Sequence, residues 1–282
     1  MSRRYWIQRV GFFLLTLTAL LVVIPILIVI VSIFIRGMGA ISWEFITQMP
    51  REGMKAGGIF PAIVGTILLM VGTAVVSIPL GIGSAIYLSE YARDTFFTRS
   101  IRLAIINLAG IPSVVYGLFG LGLFVIFLQF GTSILAGSLT LAIMTLPIII
   151  SASEEALRAV PTEFRTVSAS LGGTKWQGTR KIVLPQALPG IITGVILGLL
   201  RAAGETAPIL FTVAAFFLPK LPESVFDQTM ALPYHLYVIS TQVPGMPLQI
   251  QCGTALVLLM LVLTLNLGAS ILRSYFRRRR QW

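Results

Sequence analysis

Six apolar runs, each close to the length of a membrane span, constrain this chain more than anything else in it. They lie at roughly 10–35, 60–88, 103–128, 134–151, 190–216 and 252–272. About 20 apolar residues in helical form cross the roughly 30 Å hydrocarbon layer of a bilayer. Backbone N–H and C=O groups in lipid need partners within the protein, so runs of this kind are helices. A membrane barrel would instead show short segments of alternating hydrophobicity, and none is found. Composition points the same way: 56% of the 282 residues are hydrophobic, 11% are charged, and the mean hydropathy is +0.92. A soluble domain carries about 25% charged residues. The expected fold is therefore all-α and integral to the lipid bilayer, with six transmembrane helices.

The net charge of +11 is no sign of nucleic acid, because the basic residues flank the apolar runs and stay out of them. Their placement gives an orientation. Arg3, Arg4 and Arg9, then Arg93, Arg99 and Arg102, then Arg158, Arg165, Lys175, Arg180 and Lys181, then Arg273 and Arg277 to Arg280 fall on one side. Only Arg36, Arg51, Lys55 and Lys220 fall on the other. Both termini are expected in the cytoplasm, with the run of arginines at 277–280 as an anchor beside anionic headgroups. The first run is too long for a signal peptide and lacks a small-residue cleavage site, so it reads as a retained span. Trp6, Trp43 and Trp282 suit interfacial anchors.

One cysteine, Cys252, and one histidine, His235, exclude a disulfide framework and a metal centre built on several Cys or His ligands. No cofactor is implied. His235 falls in the segment 217–251 between the last two spans, where a short helix on the outer side is expected to leave it exposed.

The loop at 152–189 is unusually long for a membrane protein and has the character of a folded helix–turn–helix. Ser151, Glu154 and Glu155 end the fourth run abruptly, and Ser151 with Glu154 has the spacing of a capping box. Pro161 interrupts the helix that follows, Thr162 and Glu163 restart one, and Gly172-Gly173 breaks the chain again. A turn bearing Lys175 and Trp176 then leads into Ile182-Val183-Leu184-Pro185. A mere connector is the plainer alternative.

Arg201 and Glu205 stand near the middle of the fifth run, where one charge costs roughly 2.5–3.5 kcal/mol on insertion scales. Four residues apart, they share one helix face. A guanidinium offers paired donors that match two oxygens of an oxyanion, and Glu205 would neutralise it between substrates. The competing reading is an ion pair that only ties helices together. Thr206 is a candidate hydroxyl donor, in competition with a bond to its own backbone. Pro79, Pro112, Pro147 and Pro208 are expected to kink helices. Ser113 either faces a pore or packs between helices.

Gly172 and Ile182-Val183-Leu184-Pro185, with nine residues between them, resemble the cytoplasmic loop of binding-protein-dependent ABC importer permeases. That family's pattern is Glu-Ala-Ala, three residues, Gly, nine residues, then Ile-x-Leu-Pro. Here Thr166-Val167-Ser168 stand at the Glu-Ala-Ala positions, so the acidic residue is missing, with Glu163 and Arg165 nearby as substitutes. Three further blocks are similar to the phosphate branch of the family. They are Ile78 to Gly83 with Tyr87-Leu88-Ser89-Glu90-Tyr91, Gly110 to Gly117 (GIPSVVYG), and Arg201 to Pro208 (RAAGETAP).

The resemblance implies the type I ABC importer permease fold. Residues 1–59 would form the first helix and an outer loop, and 60–272 the transmembrane domain with its coupling loop. Residues 273–282 would be a basic tail. It implies that phosphate is carried past Arg201, Glu205 and Thr206. Gly172, Lys175, Trp176, Ile182, Leu184 and Pro185 would meet the ATPase subunits. The implied partners are those subunits, a second, related permease subunit and a phosphate-binding protein outside the membrane. No Gly-rich loop ending in Gly-Lys-Ser/Thr occurs, so a partner would handle ATP and this chain would be no enzyme.

Other classes remain as alternatives. Molybdate, tungstate or sulfate import needs the same chemistry of one arginine. A secondary anion transporter would show inverted repeats with paired broken helices. An intramembrane protease would need a Ser–His pair, two Asp residues or a zinc motif, none of which is present.

Overall fold

The computed structural model describes residues 3–170 and 172–278, and it is almost wholly helical. The first helix, α1 (Arg3–Gly37), leads to a small substructure made of α2 (Trp43–Thr47) and a two-stranded hairpin, β1 (Pro50–Arg51) with β2 (Ala56–Gly57). Then come α3 (Phe60–Ile86), α4 (Phe96–Ala109), α5 (Ser113–Gly120) and α6 (Ile134–Arg158). A short pair follows, α7 (Thr162–Ser170) and α8 (Lys175–Gly178). The chain continues through α9 (Leu184–Gly204), α10 (Ala207–Thr212), α11 (Leu232–Thr241) and α12 (Leu248–Arg278). Three π-turns extend these helices: Tyr87–Tyr91 after α3, Leu121–Phe127 after α5, and Thr179–Val183 joining α8 to α9.

Local chemistry sets the starts. Ser133 caps α6 by accepting from the Ala136 N–H, and Thr95 caps α4 by accepting from Thr98 N–H. Thr174 and Gln177 form a capping box at α8, each side chain accepting from the other's backbone N–H. Such caps satisfy amide groups that the first turn of a helix leaves without partners.

Five helices among the described residues are long and apolar enough to cross a membrane: Tyr5–Ala40, Phe60–Tyr91, Ile134–Arg158, Lys175–Gly204 and Leu248–Ile271. A sixth span exists if α4 and α5 with its π-turn, bent by 104° at Gly110–Pro112, count as one. The most buried of the spans is α6, flanked by α3 and α9. Between lipid-embedded helices there is no hydrophobic drive toward one another, so close van der Waals approach has to hold them. Gly190, Gly194 and Gly198 supply it on α9, meeting Ala156, Ala152 and Ile149 of α6; a Cβ on Gly194 would stand only 2.5 Å from the Ala152 Cβ. By contrast α1 leaves nearly all its apolar side chains exposed and touches the rest chiefly along α12.

Three expectations from the sequence need correction. Helix α6 does not stop at Ser151: it runs on to Arg158, so Ser151 and Glu154 lie within it and form no capping box. Its continuation is stable because Glu154 is paired with arginines and Leu157 is fully buried. The kink expected at Pro112 is present in the third run as the 104° elbow, since the residue before a proline is pushed out of the helical region. The fifth span begins in the loop, at Lys175, and its helix ends at Gly204. His235, expected to be exposed, is 2% exposed, because α11 packs down onto α3 and α12. Trp6 and Trp43 are exposed as anchors require, while Trp282, Arg279 and Arg280 lie outside the described residues.

Candidate functional site: a paired helix break and a turn at one end of the bundle

Two interruptions of regular helix precede helices that pack on each other, α5 and α10. One is the elbow at Gly110–Pro112, and the other is the break at Glu205-Thr206 between α9 and α10. Gly117 of α5 sits directly on α10, where an added Cβ would lie 2.8 Å from the Phe211 ring and 3.0 Å from the Ala207 carbonyl oxygen. The Tyr116 hydroxyl donates to the Leu108 carbonyl at 2.8 Å and so pins the elbow. Non-helical backbone within a membrane is tolerated only where protein buries it or it lines a cavity, and broken helices are common at transport sites. The two breaks fall in two of the sequence blocks singled out above.

Arg201 occupies the last turn of α9, and Glu205 has already left the helix with φ −75° and ψ 135°. The two are thus not stacked on one helix face mid-span, as their spacing alone implies. Arg201 Nε approaches Glu205 Oε1 at 3.5 Å, the outer limit of a hydrogen bond. No second bond reinforces this contact among the described residues. The Arg201 side chain keeps 36% of its surface, and that of Glu205 keeps 17%. Thr206 is neither mid-helix nor bonded to its own backbone through its hydroxyl: it is the N-cap of α10, and its side chain makes no cap hydrogen bond. Glu205 also borders a narrow cavity with Thr66, Ala202, Ala231 and Pro233, which brings α11 over the break. Apart from the contact with Glu205, the donors of the Arg201 guanidinium have no hydrogen-bond partner among the described residues.

The second region is the α7–α8 turn. Gly172 has φ +73°, a conformation in which any side chain is strained. Trp176 and Val167 are each 55% exposed, so the turn presents apolar surface at one end of the bundle. Lys175 lies with Nζ 5.2 Å from the Tyr91 ring centre, a cation–π distance. Of the other residues with motif spacing, Ile182 belongs to the π-turn, and Leu184 and Pro185 open α9. They carry the turn straight into the long helix that ends beside Arg201.

Sequence reasoning missed the ionic contacts behind this turn. Arg165 faces inward onto buried Glu90 at 2.7 Å, which corrects its expected role as a substitute for the family's missing acidic residue. Glu154 holds both Arg102 at 2.8 Å and Arg158 at 2.7 Å. The signal available was Glu90 itself, a carboxylate at the end of an apolar span.

A bundle of membrane-spanning helices with paired breaks and an exposed turn at one end suits a membrane translocation component. Residues 77–282 match the binding-protein-dependent transport system inner membrane component family, and the chain belongs to it. It is 35% identical over 268 residues to the phosphate transport system permease protein PstA 1 of Mycobacterium tuberculosis strain H37Rv, covering 92% of this chain and 84% of that one. It is 34% identical over 251 residues to the probable ABC transporter permease protein YqgI of Bacillus subtilis, covering 84% and 85%. Among solved structures it superposes on a bacterial ABC transporter involved in import of the acidic polysaccharide alginate. There the TM-score is 0.70 at 15% identity, over 97% of this chain and 99% of that one. The inward-facing MetNI methionine ABC transporter gives 0.62 at 16% identity, over 77% and 97%. At such identities the structures establish the fold alone, that of ABC importer permeases. Permeases of this class work with a substrate-binding protein and an ATPase, and they translocate substrate without being enzymes.

Proposed function

We propose that this chain is the permease subunit of an ATP-driven importer of inorganic phosphate, lining with a second permease subunit the path across the inner membrane. The observation that carries the reading is the weakly engaged Arg201 beside the paired helix breaks, in a chain about 35% identical over most of its length to phosphate permeases. Arg201 takes two phosphate oxygens, Glu205 is its resting partner, and Thr206 offers a hydroxyl. The turn with Gly172, Lys175 and Trp176, leading through Ile182, Leu184 and Pro185 into α9, is where the ATPase docks. Both termini and that turn face the cytoplasm, on the strength of the basic asymmetry; the binding protein meets the opposite face.

The test is uptake of labelled phosphate in cells lacking this chain and in cells with it restored, with molybdate and sulfate as competitors. Restored uptake that excess phosphate alone suppresses is the expected result. Suppression by molybdate or sulfate at lower concentrations than phosphate assigns the path to another oxyanion. Orientation is checked with single cysteines at Ser2, Ser224 and Gln281 and a membrane-impermeant thiol reagent on intact cells. Only Ser224→Cys is expected to react.

A further inference from the structure

Two arginines converge on the π-turn that ends α3. Arg165, on α7, grips Glu90 at two points, Nη2 to Oε1 at 2.7 Å and Nε to Oε2 at 3.1 Å. The same guanidinium donates to the carbonyls of Leu157 at 2.9 Å and Val160 at 2.6 Å, where α6 ends. Arg102, on α4, donates to the Leu88 carbonyl and to Glu154 Oε1, both at 2.8 Å. The residues 87–91 thereby receive one arginine through a backbone oxygen and the other through a carboxylate. Only a planar fork with several fixed donors can serve that many acceptors at once, and an ammonium cannot.

We propose that Arg165 and Arg102 are positioning residues that clamp α7 to α3, α4 and α6, so that displacement of the α7–α8 turn moves the bundle as one body. This rests on the importer reading, in which an ATPase pushes on that turn. Three observations favour a transmission role over a purely stabilising one. Glu90 is buried to 6% exposure at a π-turn, a rare geometry found mostly where function demands it. The second π-turn of this end, Thr179–Val183, borders the same cavity as Glu90, Arg165 and Lys175. Beyond it the helix runs on without a loop to Arg201, so the turn is joined to α9 by covalent helix and to α3, α4 and α6 by the arginines. Both connections tie the turn to the bundle.

The experiment uses the assembled complex in vesicles. The native complex must show ATP-dependent uptake, and its failure to do so would count against the importer reading itself. Glu90→Gln and Arg165→Lys are expected to copurify with the ATPase at near-native yield and to hydrolyse ATP. Substrate imported per ATP should fall about tenfold, in the range of mutations that alter coupling between sites. Uptake and hydrolysis falling together, in proportion to a loss of assembled complex, would mean the pair only stabilises the fold and would overturn the proposal. Should the variants fail to assemble, a measurement on otherwise native protein still decides. With Cys252→Ala, spin labels at Thr162→Cys and Tyr87→Cys report the distance from α7 to the end of α3. The expected distance is unchanged between nucleotide-free and ATP-bound complexes, and a shift of several ångströms on ATP binding would sink the clamp.

Discussion

The charged contacts at the two ends of α9 are built on opposite plans. Behind the α7–α8 turn, Glu90 and Glu154 are each held at 2.7–2.8 Å, by arginines that also reach backbone carbonyls. At the other end, Arg201 and Glu205 share one contact at 3.5 Å, and the arginine is 36% exposed. The first contacts leave the carboxylates and guanidinium groups little freedom to move, whereas a loose, part-exposed pair is worth about 0–1 kcal/mol. The difference separates contacts that tie one helix to another from a pair kept open for something else. A guanidinium already bonded on every side has nothing left for a ligand; Arg201 does.

Substitutions at Arg201 test that contrast hardest. Arg201→Ala is expected to lower phosphate uptake by about a hundredfold or more, the scale of losing a charge-assisted, two-point contact, with the protein still in the membrane. Arg201→Lys keeps the charge without the fork and should fall about tenfold. Normal uptake in Arg201→Ala at normal expression would remove this residue from the path. Trp176→Ala comes next: an exposed aromatic at the centre of a docking surface is worth about 2 kcal/mol, so recovery of the ATPase in a pull-down should drop about tenfold or more while membrane insertion is unchanged. An undiminished pull-down would move the docking surface elsewhere. Glu205→Gln is expected to change uptake only several-fold and to leave the yield of purified complex intact, because its contact is worth so little. A collapse of that yield would show the pair to be structural and erase the contrast.

Much of this architecture was legible in the chain, and the reasons are unequal. Length and apolarity of a run decide whether it crosses a bilayer, so α1, α3, α6, α9 and α12 all lie under runs read from sequence. The ends were harder. Helix α6 continues past Ser151 with Glu154 held by Arg158 one turn on and by Arg102 from 52 positions away in sequence, and no local pattern reveals the second partner. Likewise Glu90 and Arg165 are 75 apart. Arg201, Glu205 and Thr206 were picked out by the cost of charge in lipid, yet their geometry was misjudged, since an i,i+4 spacing implies a helix face only if the helix continues. It stops at Gly204. For the turn, Gly172 and the breaks around it could be read directly, as glycine and proline act locally.

The far end handles charge in a third way, and this gives the smallest functional effect, none at neutral pH. His235 lies on α11, outside the spans, 2% exposed and with no protein partner for Nδ1. Burial among apolar groups pushes its pKa from 6.5 down to about 4, because the charged imidazolium is disfavoured there. The sign follows from proton binding. Between pH 6.5 and about 4 the unfolded segment takes up a proton that the folded one refuses, so stability is full above pH 6.5 and declines as pH falls through this window. The loss approaches about 3 kcal/mol near pH 4, at about 1.36 kcal/mol for each unit of pH below 6.5. Thermal unfolding of the purified protein, followed from pH 7.5 to 4.5, is expected to show this decline. His235→Phe keeps an aromatic ring of similar breadth and carries no proton, so its curve should be flatter over the same window and match the native one above pH 7. Identical pH slopes for the two proteins would mean that α11 opens to water before His235 protonates, and the tight packing of this segment over Glu205 would then have to be abandoned.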